Sequence, residues 1–177
     1  MNRGENEENK GERRQVMKQT ILNGKRILAV DDEPDVLAVI EEEILDACPE
    51  STIEKATNYE EAAKLLWAFK YDLVILDIMG VNGFELLQVA VGLDNKVAML
   101  TAHALSPDVL KKCYDMGARA FLPKDKLGQL VPLLEDVLRY EYKEGWERLQ
   151  ARLESYFDSK FDPNWKAKVW GNYVENP

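Results

Sequence analysis

The sequence predicts an α/β protein: a doubly wound, five-stranded parallel sheet with helices on both faces. Three observations carry that expectation. Five short, mostly apolar stretches recur along the chain, at residues 25–30, 51–56, 71–76, 96–100 and 119–122. Most are continuous rather than alternating, as strands buried on both faces are. A segment with apolar residues at helical spacing follows each of them. Right-handed crossovers then lay the strands side by side with their carboxyl ends at one edge.

The elements follow in order. Residues 1–23 are polar and charged, too poor in apolar area to offset their ordering entropy, and read as a flexible leader. The first strand, Lys-Arg-Ile-Leu-Ala-Val, runs into Asp31-Asp32-Glu33. Pro34 then suits the first turn of a helix whose apolar positions are Val36, Leu37, Ile40, Ile44 and Leu45, and which stops near Cys48-Pro49. After the second strand, Thr57 or Asn58 caps a helix with Glu60 and Glu61 in its first turn and Ala62, Leu65, Leu66 and Phe69 as its stripe. The third strand ends abruptly in Asp77. Gly80-Val81-Asn82-Gly83 is a loop, with Gly80 and Gly83 expected to supply a tight turn. A helix marked by Phe84, Leu86, Leu87, Val89, Ala90 and Val91 follows. The fourth strand ends at Thr101, and Ser106-Pro107-Asp108 starts the next helix, closed by Gly117. The fifth strand runs into Pro123-Lys124. A last helix begins near 127–130, with Pro132 limiting how early it turns regular.

Bulk properties exclude several classes. The chain has 177 residues, 46% hydrophobic, enough for a core. A formal net charge of −9 disfavours DNA or an anionic membrane as a partner. No apolar run approaches the roughly 18 residues of a membrane span, and the N-terminus lacks an apolar signal region. Cys48 and Cys113 lie far apart without metal or redox spacing, and read as reduced core thiols of a cytoplasmic protein.

The strand ends carry the chemistry. Asp31, Asp32, Asp77, Thr101 and Lys124 all arrive at the carboxyl edge of the expected sheet. Crowded carboxylates repel unless a cation is present. A hard divalent ion such as Mg²⁺ suits oxygen ligands of this kind. Asp77, at the centre, then has the chemistry of a carboxylate nucleophile towards phosphorus. Mg²⁺ and Lys124 neutralise phosphoryl oxygens, and the Thr101 hydroxyl hydrogen-bonds another.

Residues 24–138 resemble the receiver domain of bacterial two-component response regulators, a flavodoxin-like fold. The matching pieces are Ile-Leu-Ala-Val-Asp-Asp-Glu-Pro ending at Pro34, Asp-Leu-Val-Ile-Leu-Asp-Ile-Met ending at Met79, Met-Leu-Thr-Ala ending at Ala102, and Gly-Ala-Arg-Ala-Phe-Leu-Pro-Lys ending at Lys124. The resemblance implies that Asp77 accepts a phosphoryl group from the phosphohistidine of a sensor histidine kinase or phosphotransfer protein. It implies Mg²⁺ held by Asp32, Asp77 and the Met79 backbone carbonyl, with Asp31 helping through a water. Thr101 and Lys124 contact the phosphoryl group. Phe121 occupies the switch-aromatic position and turns inward as Thr101 moves, and the small Ala102 leaves room for that switch. The chain would catalyse only its own phosphotransfer and dephosphorylation.

Two departures stand out. The loop after Asp77 is about two residues shorter than the family's and lacks its proline. Asp125 follows Lys124 where the family commonly has a cis proline; a cis peptide here would cost about 2.5–4 kcal/mol, so a trans bond is expected. His103, near Thr101, reads as a partly exposed loop residue or a modulator of the site. Glu33 is expected to face solvent, or to tune cation affinity.

Residues 139–177 form a helical extension and an aromatic tail. Leu134, Leu138, Tyr142, Trp146, Leu149, Leu153 and Tyr156 resemble a heptad seam, with Gly145 weakening its middle by roughly 1 kcal/mol. A helix extending to form a homodimer is the expectation; breaking and folding back on the domain is the alternative. Trp165, Val169, Trp170 and Tyr173 dock on the protein itself or on a partner. No output module is recognisable, which predicts a stand-alone regulator with an unidentified downstream protein. Its rivals are an unphosphorylated pseudo-receiver scaffold and an aspartyl phosphatase. The phosphatase needs an Asp-x-Asp pair that 31–33 does not supply.

Overall fold

A computed structural model describes residues 20–102 and 106–171. The five strands are β1 (Arg26–Val30), β2 (Thr52–Ala56), β3 (Leu73–Asp77), β4 (Val97–Thr101) and β5 (Ala120–Pro123), all parallel in the order β2-β1-β3-β4-β5. The doubly wound α/β sheet expected from the sequence is therefore present. Every residue of β3, β4 and β5 is buried, which explains their unbroken apolar runs.

The connecting helices are α1 (Pro34–Ala47), α2 (Tyr59–Ala68), α3 (Gly83–Gly92), α4 (Pro107–Asp115) and α5 (Leu130–Arg139). Local chemistry sets their starts. Pro34 opens α1 in its first turn. Asn58 caps α2 by accepting from the Glu61 N–H at 3.0 Å, and Glu61 reaches back to the Thr57 N–H at 3.1 Å. Ser106 caps α4 by accepting from the Val109 N–H. A 3₁₀ turn, Lys124–Gln129, precedes α5, so Pro132 falls in the first turn of α5, where its missing N–H costs no bond. No described peptide bond is cis.

The leader boundary needs correction. Thr20 to Asn23 are not free of the domain: Leu22 is fully buried, its carbonyl accepts from the Ser51 hydroxyl at 2.7 Å, and Asn23 bonds Glu50. One deeply apolar residue suffices to anchor a short polar turn.

The continuous helical extension expected after residue 138 is not formed. The chain breaks at Tyr140 and Glu141, both extended, rather than at Gly145. Helix α6 (Tyr142–Lys160) then folds back on the domain, followed by α7 (Trp165–Trp170). The buried stripe of α6 is Trp146, Leu149, Leu153 and Phe157, so Phe157 rather than Tyr156 completes it. Trp146 donates its indole N–H to the Ala118 carbonyl at 2.8 Å, and Tyr142 donates to the Tyr114 carbonyl. Arg152 and Arg148 of α6 pair with Asp136 of α5 at 2.7 and 3.3 Å. Trp165 and Val169 are buried too, with Trp165 edge-on to Phe157. The apolar face expected to await a second chain is consumed within one. His103 and Tyr173 lie outside the described residues.

Candidate functional site

The strand order places the site. Asp31 follows β1, Asp77 closes β3 beside it, Thr101 closes β4 and Lys124 follows β5. Asp77 pairs in register with Leu100, and Thr101 with Pro123, which levels these strand ends. Asp31, Asp77 and Thr101 are buried, whereas Asp32 is exposed. Carboxylate oxygens of Asp31, Asp32 and Asp77 all lie within 4.8 Å of one another.

Lys124 closes the group from the far side. Its Nζ stands 2.7 Å from Asp31 Oδ2, 2.9 Å from Glu33 Oε1 and 3.5 Å from Asp77 Oδ2. The Asp31 contact is a close, buried ion pair. Asp31 Oδ1 accepts from the Glu33 N–H at 3.0 Å. Burial pushes the Asp77 carboxyl up to about 6, the Asp31 charge adds to this, and Lys124 pulls the other way. Burial likewise raises Asp31, against Lys124. Burial works against the charge of Lys124, but its bonds to Asp31 and Glu33 outweigh that and raise its pKa.

Three close carboxylates facing one lysine leave excess negative charge in a poorly solvated corner. Asp31 Oδ2, buried and already drawn to the Lys124 ammonium at 2.7 Å, is an acceptor of the kind a cation satisfies. The set fits a hard, oxygen-binding divalent ion.

The loop after β3 shows how the chain manages without the proline. Gly80 has φ +75°, and a Cβ there would stand 2.4 Å from the Asp32 carboxylate. Glycine at 80 thus meets both a left-handed backbone and a close approach. Gly83 serves for a different reason than expected. Its φ is not positive; a Cβ would meet the Asp77 carbonyl oxygen at 2.0 Å. Asn82 takes the second left-handed position, φ 54°. The Met79 carbonyl accepts from the Val81 N–H at 2.8 Å, which leaves its second lone pair for another partner. Gly80→Ala is expected to destabilise the chain by about 1–2 kcal/mol and to displace Asp32. Urea denaturation and Mg²⁺ titration of the variant measure the two effects.

Ala102 sits exposed beside Thr101. Phe121 is fully buried in β5, and its ring centroid lies 6.3 Å from that of Phe157 in α6. Sequence reasoning missed that cover. It also missed the Glu33–Lys124 pair, whose members stand 91 residues apart with no shared motif, although Glu33 is solvent-facing as expected. A third omission is the bond from the Tyr156 hydroxyl to Asp125 at 3.1 Å, one residue past Lys124.

An acidic cluster and a lysine thus meet at the carboxyl edge of a β2-β1-β3-β4-β5 parallel sheet. A model of the response regulator receiver domain family matches residues 27–135, and the chain belongs to that family. Among curated proteins it is similar to the two-component response regulator ARR18 of Arabidopsis thaliana, 35% identical over 92 residues, covering 50% of this chain and 14% of that protein. It is similar to the two-component response regulator ORR24 of Oryza sativa subsp. indica, 32% identical over 121 residues, or 66% of this chain and 19% of that one. The chain thus spans a fifth or less of the length of these relatives. Among solved structures, a response regulator from Thermotoga maritima aligns with TM-score 0.59 at 22% identity, covering 66% of this chain and 98% of that one. The Vibrio cholerae chemotaxis protein CheY4 aligns with TM-score 0.58 at 27% identity, over 64% and 98%. Helices α6 and α7 lie outside the family-matched residues. No helix among the described residues is long and apolar enough to cross a membrane.

Proposed function

We propose that this chain is a cytoplasmic response regulator receiver that is phosphorylated on Asp77. The observation that carries the reading is the convergence of Asp31, Asp32, Asp77 and Lys124 at one sheet edge in a member of the receiver family. Asp77 is the nucleophile. One of its carboxylate oxygens attacks the phosphorus of a phosphohistidine on a sensor histidine kinase or phosphotransfer protein. The P–N bond breaks, the imidazole leaves with the electron pair, and an acyl phosphate remains on Asp77. Asp31, Asp32, Asp77 and the Met79 carbonyl would hold Mg²⁺, which supplies charge neutralisation for the phosphoryl oxygens. Lys124 exchanges its contacts with Asp31 and Glu33 for the new anion. The Thr101 hydroxyl donates to a phosphoryl oxygen from the neighbouring strand end, and Ala102 leaves the approach open. The downstream effect is a change in what the domain binds, with Phe121 as the switch aromatic.

A small-molecule phosphodonor with Mg²⁺ should add one phosphoryl mass to the wild-type chain and none to Asp77→Ala, read by intact-protein mass spectrometry. Equal labelling of both would remove Asp77 from this role. No labelling of either would favour a scaffold that works without phosphorylation.

A further inference from the structure

Lys124 stands at the junction of two unequal supports. Before it, β5 is wholly buried and held in the ladder, with Pro123 opposite Thr101. After it comes the 3₁₀ turn Lys124–Gln129, which has no side-chain cap and departs from helical geometry at Lys126, φ −114° and ψ 20°. A 3₁₀ turn has poor hydrogen-bond geometry and little of its own to hold it. The lysine nevertheless needs exact support. Its side chain is 10% exposed, and its 3.5 Å separation from Asp77 Oδ2 already lies at the limit of hydrogen-bond length.

The turn is gripped by one side chain of α6, outside the family-matched residues. The Tyr156 hydroxyl donates to Asp125 Oδ2 at 3.1 Å, and the Lys126 ammonium stands over the same ring, 5.1 Å from its centroid. The two residues after Lys124 are thus tied to one ring, by a hydrogen bond and by a cation–π contact. That ring is itself fixed. It lies edge-on to buried Phe157, 6.0 Å between centroids, and Lys160 stands 5.7 Å from its centre. Burial and the bond to Asp125 push the Tyr156 hydroxyl up to about 12, so it remains a donor at neutral pH.

We propose that Tyr156 is a positioning residue for Lys124, clamping the turn after β5 so that the ammonium is aimed at the phosphoryl position on Asp77. The inference rests on the phosphoacceptor reading above. It makes α6 part of the support of the phosphorylation site. The clamp acts on the lysine rather than on the cation ligands: Asp31, Asp32 and Met79 follow β1 and β3, whereas the clamped turn follows β5. Loss of the clamp therefore weakens phosphoryl binding and spares the cation.

Tyr156→Phe removes the hydroxyl and keeps the ring, with its contact to Phe157 and its face for Lys126. The full-length variant and wild type are compared in three measurements. The first is the rate of phosphoryl incorporation from acetyl phosphate at saturating Mg²⁺, by intact-protein mass spectrometry. The second is beryllofluoride affinity, from the bound ¹⁹F resonance. The third is Mg²⁺ affinity without either phosphoryl source, by amide NMR. Rate and beryllofluoride affinity should each fall about three- to tenfold, the scale of one partly exposed hydrogen bond, with Mg²⁺ affinity within about twofold of wild type. Asp125→Asn, which keeps an acceptor for the hydroxyl, should hold all three within about twofold. Unchanged rate and beryllofluoride affinity in Tyr156→Phe overturn the proposal and leave the phosphoacceptor reading standing. An equal loss of Mg²⁺ affinity also overturns it, because it marks a general loosening of the site. A wild-type chain that binds no beryllofluoride and takes up no phosphoryl group overturns both.

Discussion

Lys124→Met is expected to destabilise the cation-free chain by about 3–5 kcal/mol at pH 8, because removing one partner of a buried ion pair strands the other. The stranded groups are Asp31, fully buried, and Asp77, 3% exposed. Methionine keeps the bulk of the lysine stem, so the loss is one of charge rather than packing. The pH dependence has a definite sign. Asp31 and Asp77 both sit above their ordinary values in the folded chain, Asp77 at about 6. The folded state therefore holds protons more tightly than the unfolded one. Stability from these groups is fully present below about pH 4 and is lost as pH rises through about 6. Without Lys124 the loss steepens, so the deficit of the variant shrinks on going from pH 8 to pH 5. Mg²⁺ should recover more stability in Lys124→Met than in wild type, where the lysine competes with the ion. Urea denaturation in EDTA and in Mg²⁺ at the two pH values measures all of this. Equal wild-type and variant midpoints at pH 8 in EDTA would show that Lys124 does not neutralise the cluster.

Trp146→Ala should cost about 3–5 kcal/mol by the same measurement, the range for truncating a large buried aromatic. The indole is 2% exposed and touches both Tyr114 and Trp170. Its loss also leaves the Ala118 carbonyl without the indole donor. Trp146→Phe retains the ring contacts and loses the hydrogen bond, so it should fall between wild type and alanine. A cost below 1 kcal/mol for alanine would mean that α6 contributes little to the folded domain. The comparison matters because α6 lies beyond the family-matched residues yet supplies a wall of the core.

The sheet was legible because its signals are local. Each strand is an apolar run a few residues long, and Pro34, Asn58 and Ser106 mark helix starts by their own chemistry. Asp77 stood out because an acid ends an apolar strand. Gly80 was read as a turn residue and has the positive φ such a turn demands. What sequence could not resolve was set by distant partners. A stripe such as Trp146, Leu149 and Leu153 has the same period whether it meets another chain or its own domain. The choice was made by Tyr114, Ala118 and Phe121, none of which is near it in sequence. The one-residue shift from Tyr156 to Phe157 has the same origin: Phe157 meets Phe121, and Tyr156 turns its hydroxyl to Asp125. Leu22 was lost in a polar leader because a single apolar residue makes no pattern.

The placement of the four tryptophans has an optical consequence. Trp67 lies on α2, 71% exposed, while Trp146, Trp165 and Trp170 all belong to α6 and α7, with Trp146 and Trp165 buried. Most of the intrinsic emission of this chain therefore originates in its last two helices, and Trp67 supplies a solvent-exposed background from α2. A red shift of the native spectrum on illumination near 295 nm would register the departure of those helices, without any label or substitution.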